Sequence, residues 1–282
     1  MSRLRKGIGG GALLAAVAAF LMAYAPTASA SSTKCPSDGT PPPGSVIRGG
    51  LEVDGFQCNL TDVTVYGGIT IDGSDSTGSG EFPIGYLSID GSTVYGGIVV
   101  NGGAIDVGVD GFDSFNRTFN PTTINGGLRL NDAGFFTTAD ATIHGGLTMN
   151  GVRNDVPILS QMCASEVFGD VTVRDLDNVI RVFIGDPGEP LYGNGAFCDS
   201  NAIHGSLSLI DTTRVNPFTH EGSEIEGNSV TGSVHIEHSV AEVWSNVIGG
   251  SLLCTNGTVI QPPLPDDPSQ AQNVVNGANT CT

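Results

Sequence analysis

The sequence predicts an all-β protein, a parallel β-helix (β-solenoid) of about ten coils stapled by disulfides. Three observations lead there. The first is a frame, apolar-x-Gly-small-apolar-x-apolar, seen in Val65-Tyr66-Gly67-Gly68-Ile69-Thr70-Ile71 and repeated from Ile47 to Cys281. Its glycines are Gly49, Gly67, Gly96, Gly126, Gly145, Gly169, Gly205, Gly232, Gly250 and Gly277, and a β-branched residue stands two positions before each. The second is spacing: successive glycines lie 18, 29, 30, 19, 24, 36, 27, 18 and 27 residues apart, so a minimum near 18 recurs and longer gaps read as that unit plus a loop. Self-similarity at such a period, with strands and glycine turns, marks a solenoid, because one unit cannot bury its own apolar face and a stack can. The third is that Cys254 and Cys281 occupy the same slot of successive units, four residues after Gly250 and Gly277. An antiparallel sandwich would alternate too, but it explains neither the fixed glycine nor the cysteines in register.

In chain order, residues 1–30 read as a secretory signal peptide. Arg3, Arg5 and Lys6 precede an apolar run from Ile8 to Ala25, and Ala28-Ser29-Ala30 supplies the cleavage pattern. No cysteine follows the run in a lipid-anchor setting, and no membrane span is expected after cleavage. Residues 31–45, with Pro41-Pro42-Pro43, read as an extended Pro-rich leader pinned by Cys35. From 46 to 282 no break in composition appears, so this stretch reads as one β-helix domain. Within a unit the apolar residues alternate, as at Val63, Val65, Ile69 and Ile71, which is a strand period. A second strand often precedes the next glycine, as in Tyr86-Leu87-Ser88-Ile89-Asp90. Turns fall at Asp54-Gly55, Asp72-Gly73, Asp90-Gly91 and Asn150-Gly151, and inserts at 74–80, 113–121, 186–195 and 262–269. The repeat glycine is expected at a corner, either because the backbone needs a positive φ or because an inward side chain has no room.

The six cysteines all lie beyond the signal peptide, which suits an oxidising compartment and three disulfides. Slot register pairs Cys254 with Cys281. Cys163 and Cys198, six and seven residues before their glycines, pair next, and Cys35–Cys58 follows by elimination. The precursor carries 11 basic and 29 acidic residues; loss of residues 1–30 leaves eight basic residues, a net charge of −21 and Lys34 as the only lysine. Such a balance argues against nucleic acid and anionic membranes as partners.

The runs Ile203-His204-Gly205-Ser206-Leu207, Asn228-Ser229-Val230-Thr231-Gly232-Ser233-Val234 and Asn246-Val247-Ile248-Gly249-Gly250-Ser251-Leu252-Leu253-Cys254 resemble a poorly characterised group of secreted bacterial parallel β-helix repeat proteins. Their final coils carry N-x-V-x-G-x-L-x-C and close with N-x-V-x-G…C, matched here from Asn273 to Cys281. The frame is more distantly similar to bactofilins, from which this chain departs in its signal peptide and cysteines. The resemblance, with the crossover bias of parallel strands, implies right-handed winding. It brings no catalytic residue.

For function, the residue just before each glycine forms a column: Arg48, Tyr66, Tyr95, Asn125, His144, Phe168, His204, Thr231, Gly249 and Asn276. If alternation holds through the corner, these side chains face outward. Tyr66, Tyr95, Asn125, His144 and His204 are the candidate binding residues, suited to a sugar or a partner protein, or alternatively to plain ladder packing. Polysaccharide-active β-helices need carboxylates on neighbouring coils, and the one acidic pair adjacent in sequence, Asp266-Asp267, lies in a Pro-rich insert. Arg48, Arg129, Arg153, Arg174, Arg181 and Arg214 are scattered, so no catalytic residue is assigned. His235, Glu237 and His238 read as a solvated strand rather than a metal site, and Trp244 as the cover of a coil edge. No cofactor is expected beyond weak surface Ca²⁺ at Asp72, Asp75 and Glu81 or at Asp106, Asp110 and Asp113. The expected function is a secreted, non-enzymatic structural or adhesive surface or matrix protein. Its expected partners are cell-wall glycan, another surface protein, or further copies meeting at the coil ends; the alternatives are carbohydrate binding along the column and a polysaccharide-active enzyme.

Overall fold

The computed structural model describes residues 32–35, 39–54, 57–72, 86–101, 106–110, 112–113, 118–133, 135–151, 160–176, 182–185, 190–191, 196–197, 200–213, 222–260 and 272–281. Three parallel sheets wind through them. Sheet I holds the ten strands that precede the glycines, from Val46–Arg48 to Val274–Val275. Sheet II holds those that follow, from Leu51–Val53 to Leu252–Thr255, with Thr33–Cys35 as an added edge strand. Sheet III, with nine strands from Gln57–Thr61 to Thr258–Ile260, closes each turn. The predicted parallel β-helix is therefore the fold, and each coil runs from sheet I through II to III. Thr33–Cys35, within the expected leader, pairs in register with Leu51–Val53, so the stack begins ahead of the first glycine. Two short antiparallel pairs, Phe112–Asp113 with Thr118–Phe119 and Pro190–Leu191 with Ala196–Phe197, fall at two of the inserts.

Register follows the repeat. Ile47, Val65, Val94, Ile124, Ile143, Val167, Ile203, Val230, Ile248 and Val275 pair successively along sheet I. Together with the inward residues of the other sheets they form one apolar cluster along the stack, where each buried aliphatic contributes roughly 1.5–3 kcal/mol.

The glycines do sit at the corner between sheets I and II, and the reason for them changes along the stack. Gly67 has φ +117°, a conformation other residues avoid. At Gly96 the angle is ordinary, but a Cβ there would lie 2.6 Å from Cα of Gly68 on the preceding coil. The slot is thus mostly a place where successive backbones approach too closely for a side chain. The other two corners use left-handed residues: Asp132, Asp175, Asp211, His238 and Asn256 between sheets II and III, and Asp62, Asp140, Ala164 and Ser245 between III and I. Aspartate and asparagine tolerate this region better than most residues, which accounts for the acidic turns.

Near the C-terminus a second device stacks the coils. Asn201, Asn228, Asn246 and Asn273 form an internal ladder in which each side-chain amide bonds the next: Asn201 Nδ2 donates to Asn228 Oδ1 at 2.9 Å, Asn228 Nδ2 to Asn246 Oδ1 at 3.0 Å, and Asn246 Nδ2 to Asn273 Oδ1 at 2.9 Å. The same amides donate to the carbonyls of Met162, Ile184, Ile225 and Val243 at 2.7–2.8 Å.

Cys35–Cys58 and Cys254–Cys281 are disulfides, with Cα separations of 5.6 and 5.0 Å. Cys163 is disulfide-bonded as well, while Cys198, its expected partner, lies outside the described residues. The bonds suit an oxidising environment. The signal peptide and the 262–269 insert with Asp266-Asp267 also lie outside them. Among the described residues no helix is long and apolar enough to cross a membrane.

Candidate functional site

The outward face of sheet I is a surface that the repeat builds in unbroken register. Backbone hydrogen bonds tie the predicted column coil to coil: the amides of Tyr95, Asn125, His144, Phe168, His204, Thr231, Gly249 and Asn276 each donate to a carbonyl of the preceding coil's sheet I strand, at 2.7–3.0 Å. Arg48 and Tyr66 are paired in register. All ten column residues are exposed, so Tyr66, Tyr95, Asn125, His144 and His204 share one face and one line.

The rings on that line stack along the axis of the rod. Tyr66 and Tyr95 lie face to face, 4.7 Å between centroids and 3° between planes, and the Arg48 guanidinium carbon sits 5.1 Å from the Tyr66 centroid on its free side. Phe168 is sandwiched between His144 at 5.0 Å and His204 at 4.5 Å. The strand spacing of about 4.8 Å is close to the offset-stacking distance of aromatic pairs, so in-register rings cover one another's faces and turn their edges to solvent. His204 Nε2 also meets Glu166 Oε1 at 2.9 Å.

Beside this line runs a second outward column that inspection of the sequence passed over: Val46, Thr64, Thr93, Thr123, Thr142, Glu166, Ala202, Ser229, Val247 and Val274, in register throughout. It lies two residues ahead of the first, which is the signal that would have found it. The exposed large hydrophobic side chains of the described residues are Val46, Tyr66, Tyr95, Phe168, Val247 and Val274, and every one belongs to these two columns. They fall in three groups along the face, on the first three coils, the sixth, and the last two. Of the twenty positions only Arg48 and Glu166 carry a fixed charge, in a chain with 29 acids.

Comparison with protein-family models, with curated proteins and with solved structures yields no match. The site is read from its own geometry.

Sheet III holds a feature that the sequence reading missed. Apart from Asp266-Asp267, the fold makes a carboxylate pair from residues 18 apart: Glu224 and Glu242 stand side by side on neighbouring strands, with Glu226 beside Trp244 in the next rung. Each glutamate stands four residues before a ladder asparagine, a phase that only the ladder reveals. The outward row Gln161, Phe183, Glu224 and Glu242 is buried, the two glutamates to 8% and 6% exposure. Trp244, the last residue of its strand, is buried in the neighbouring row. Its indole N–H has no hydrogen-bond partner among the described residues.

The remaining candidates stay apart. His235 and Glu237 are exposed on sheet II. His238 turns a corner, its Nδ1 3.4 Å from Asp211 Oδ1 and its Nε2 3.1 Å from Asn256 Nδ2. No group of three or more metal-binding side chains occurs among the described residues. Asp75 and Glu81 lie outside them; Asp106 and Asp110 fall on one sheet III strand, Asp106–Asp110.

Proposed function

We propose that the chain is an exported, non-enzymatic β-helical rod of a cell surface or extracellular matrix, and that the outward face of sheet I is its working surface. The observation that supports this best is the ring geometry. A sugar ring docks on the open face of an aromatic side chain, and here Tyr66 lies between Arg48 and Tyr95, Phe168 lies between His144 and His204, and Tyr95 has one face against Tyr66. What the strip offers is ring edges, phenol hydroxyls, threonine methyls and valines in flat parallel rows. These suit contact with another flat protein surface. The near-complete burial of Glu224 and Glu242 likewise weighs against an open cleft for a polymer substrate.

Purified 31–282 and its Tyr66→Ala/Tyr95→Ala variant, compared on a glycan array and in cell-wall pull-downs, test the reading. The expected result is that both behave alike on the array while the variant melts at a lower temperature, having lost its stack. Glycan binding that disappears in the variant would replace this reading with carbohydrate recognition. Release of reducing ends from a polysaccharide panel, abolished in Glu224→Gln/Glu242→Gln, would replace it with catalysis.

A further inference from the structure

We infer that the partner of this face is a second copy of the chain, packed antiparallel against it, sheet I on sheet I. The inference rests on the outward face of sheet I being the working surface, and it names what covers that surface. Three features of the face select the occupant.

The first is charge. The chain carries a formal net charge of −18 before processing, so two copies repel one another over most approaches. Sheet II, by contrast, presents six formal charges outward, Lys34, Glu52, Asp72, Arg129, Arg174 and Glu237, each of which an interface there would have to desolvate. The outward face of sheet I, with one arginine against one glutamate, is where like-charged rods come together at least cost.

The second is a gradient of size. From the N-terminal coil onward the first column reads Arg48, Tyr66, Tyr95, Asn125, His144, Phe168, His204, Thr231, Gly249, Asn276: bulky at one end and small at the other. A flat protein partner without the inverse gradient would leave gaps at the small end. The same face turned end for end has it. A two-fold axis parallel to the strands, between the fifth and sixth coils, sets Tyr66 opposite Gly249 of the second copy and Tyr95 opposite Thr231. In the second column it sets Val46 opposite Val274 and Thr64 opposite Val247, joining the exposed valines of the two ends. Such an interface is isologous and closes on itself.

The third is periodicity and extent. Both faces repeat at the strand spacing of about 4.8 Å, so rows interdigitate all along their length, with sheets about 10 Å apart. Ten rungs make a strip on the order of 48 Å long, and two columns with their side chains make it roughly 13 Å wide. That is about 600 Å² per copy, at the lower end of specific interfaces, which suits a dimer that dissociates in the micromolar range.

The test uses 31–282 with its disulfides intact. Analytical ultracentrifugation over micromolar concentrations should give a monomer–dimer equilibrium. Val247→Asp/Val274→Asp, two exposed substitutions that add like charge to the face, should weaken the dimer at least tenfold. Thr255→Asp on the outward face of sheet II, at the same end of the rod, should leave it unchanged. Orientation is read from spin labels on single added cysteines outside the interface, since no described native cysteine is free. The intermolecular distance from a label at Thr70, on the second coil, should exceed that from Thr148, on the fifth; equal distances mean parallel pairing and overturn the inference. A monomer at every soluble concentration overturns it as well, as does a dimer indifferent to Val247→Asp/Val274→Asp, which would place self-association elsewhere, such as the coil ends. The scaffold reading fails separately, through glycan binding or depolymerising activity, so the two outcomes are distinguishable.

Discussion

Asp140 turns the corner between sheets III and I at φ +54°, a conformation that few side chains other than aspartate and asparagine accept readily. Burial there raises its carboxyl pKa above the ordinary 3.8. A raised folded-state value means that the folded chain holds this proton more tightly than the unfolded chain does. Its effect on stability is therefore most favourable below about pH 4, is lost as pH rises through the raised value, and is flat above it. Asp140→Asn keeps the backbone preference and removes the desolvated charge. At pH 7 the variant should melt at a higher temperature than the parent, and below pH 3 the difference should vanish; a pH series of thermal melts reads both. The glycine slot shows the same local logic. Its composition was legible in the sequence, but the contact that enforces it at Gly96 lies on another coil, 28 residues back at Gly68.

At the scale of the element, the asparagine ladder explains what N-x-V-x-G encodes. Asn246, wholly buried, donates its two amide hydrogens to the Ile225 carbonyl at 2.8 Å and to Asn273 Oδ1 at 2.9 Å, and its Oδ1 accepts from the backbone N–H of Asn228 at 2.9 Å. Through these bonds the side chain joins its own coil to the coils on either side. Asn246→Ala would leave a buried donor and a buried acceptor unsatisfied, at a cost of about 3 kcal/mol. Asn273→Ala, on the last and partly exposed rung, should cost about a third of that, since water can take over. Urea denaturation of the two variants measures the ratio, and equal losses would mean that the ladder is not what holds this corner. The motif could be read in the sequence, but its chemistry could not, because the carbonyls of Met162, Ile184, Ile225 and Val243 belong to other coils. The outward column before the glycine could be read because it keeps a fixed offset from a visible landmark. The threonine column keeps one too, but threonine on a strand carries no signal until four stand in register. Glu224 and Glu242 were hidden because their landmark is the ladder, not the glycine.

The whole molecule is a one-dimensional stack, and a stack fails first at its ends. Each interior coil has two neighbours and a terminal coil only one, so opening is cheapest there. The disulfides are placed accordingly: Cys35–Cys58 ties the first strand of sheet II to the first of sheet III, and Cys254–Cys281 ties the last two coils together. Loops of 23 and 27 residues give about 3 kcal/mol each on the chain-entropy model. That is comparable to the packing a terminal coil lacks on its open side. Reduction should therefore fray the rod before it melts it. In native-state hydrogen exchange, reduced and alkylated protein should lose protection at the amides of Leu51, Leu252 and Thr280, while Leu147, Val171 and Leu207 in the middle coils remain protected. Uniform loss across all coils would mean that the helix opens as a single unit, and that its cysteines stabilise the whole rather than guard the ends.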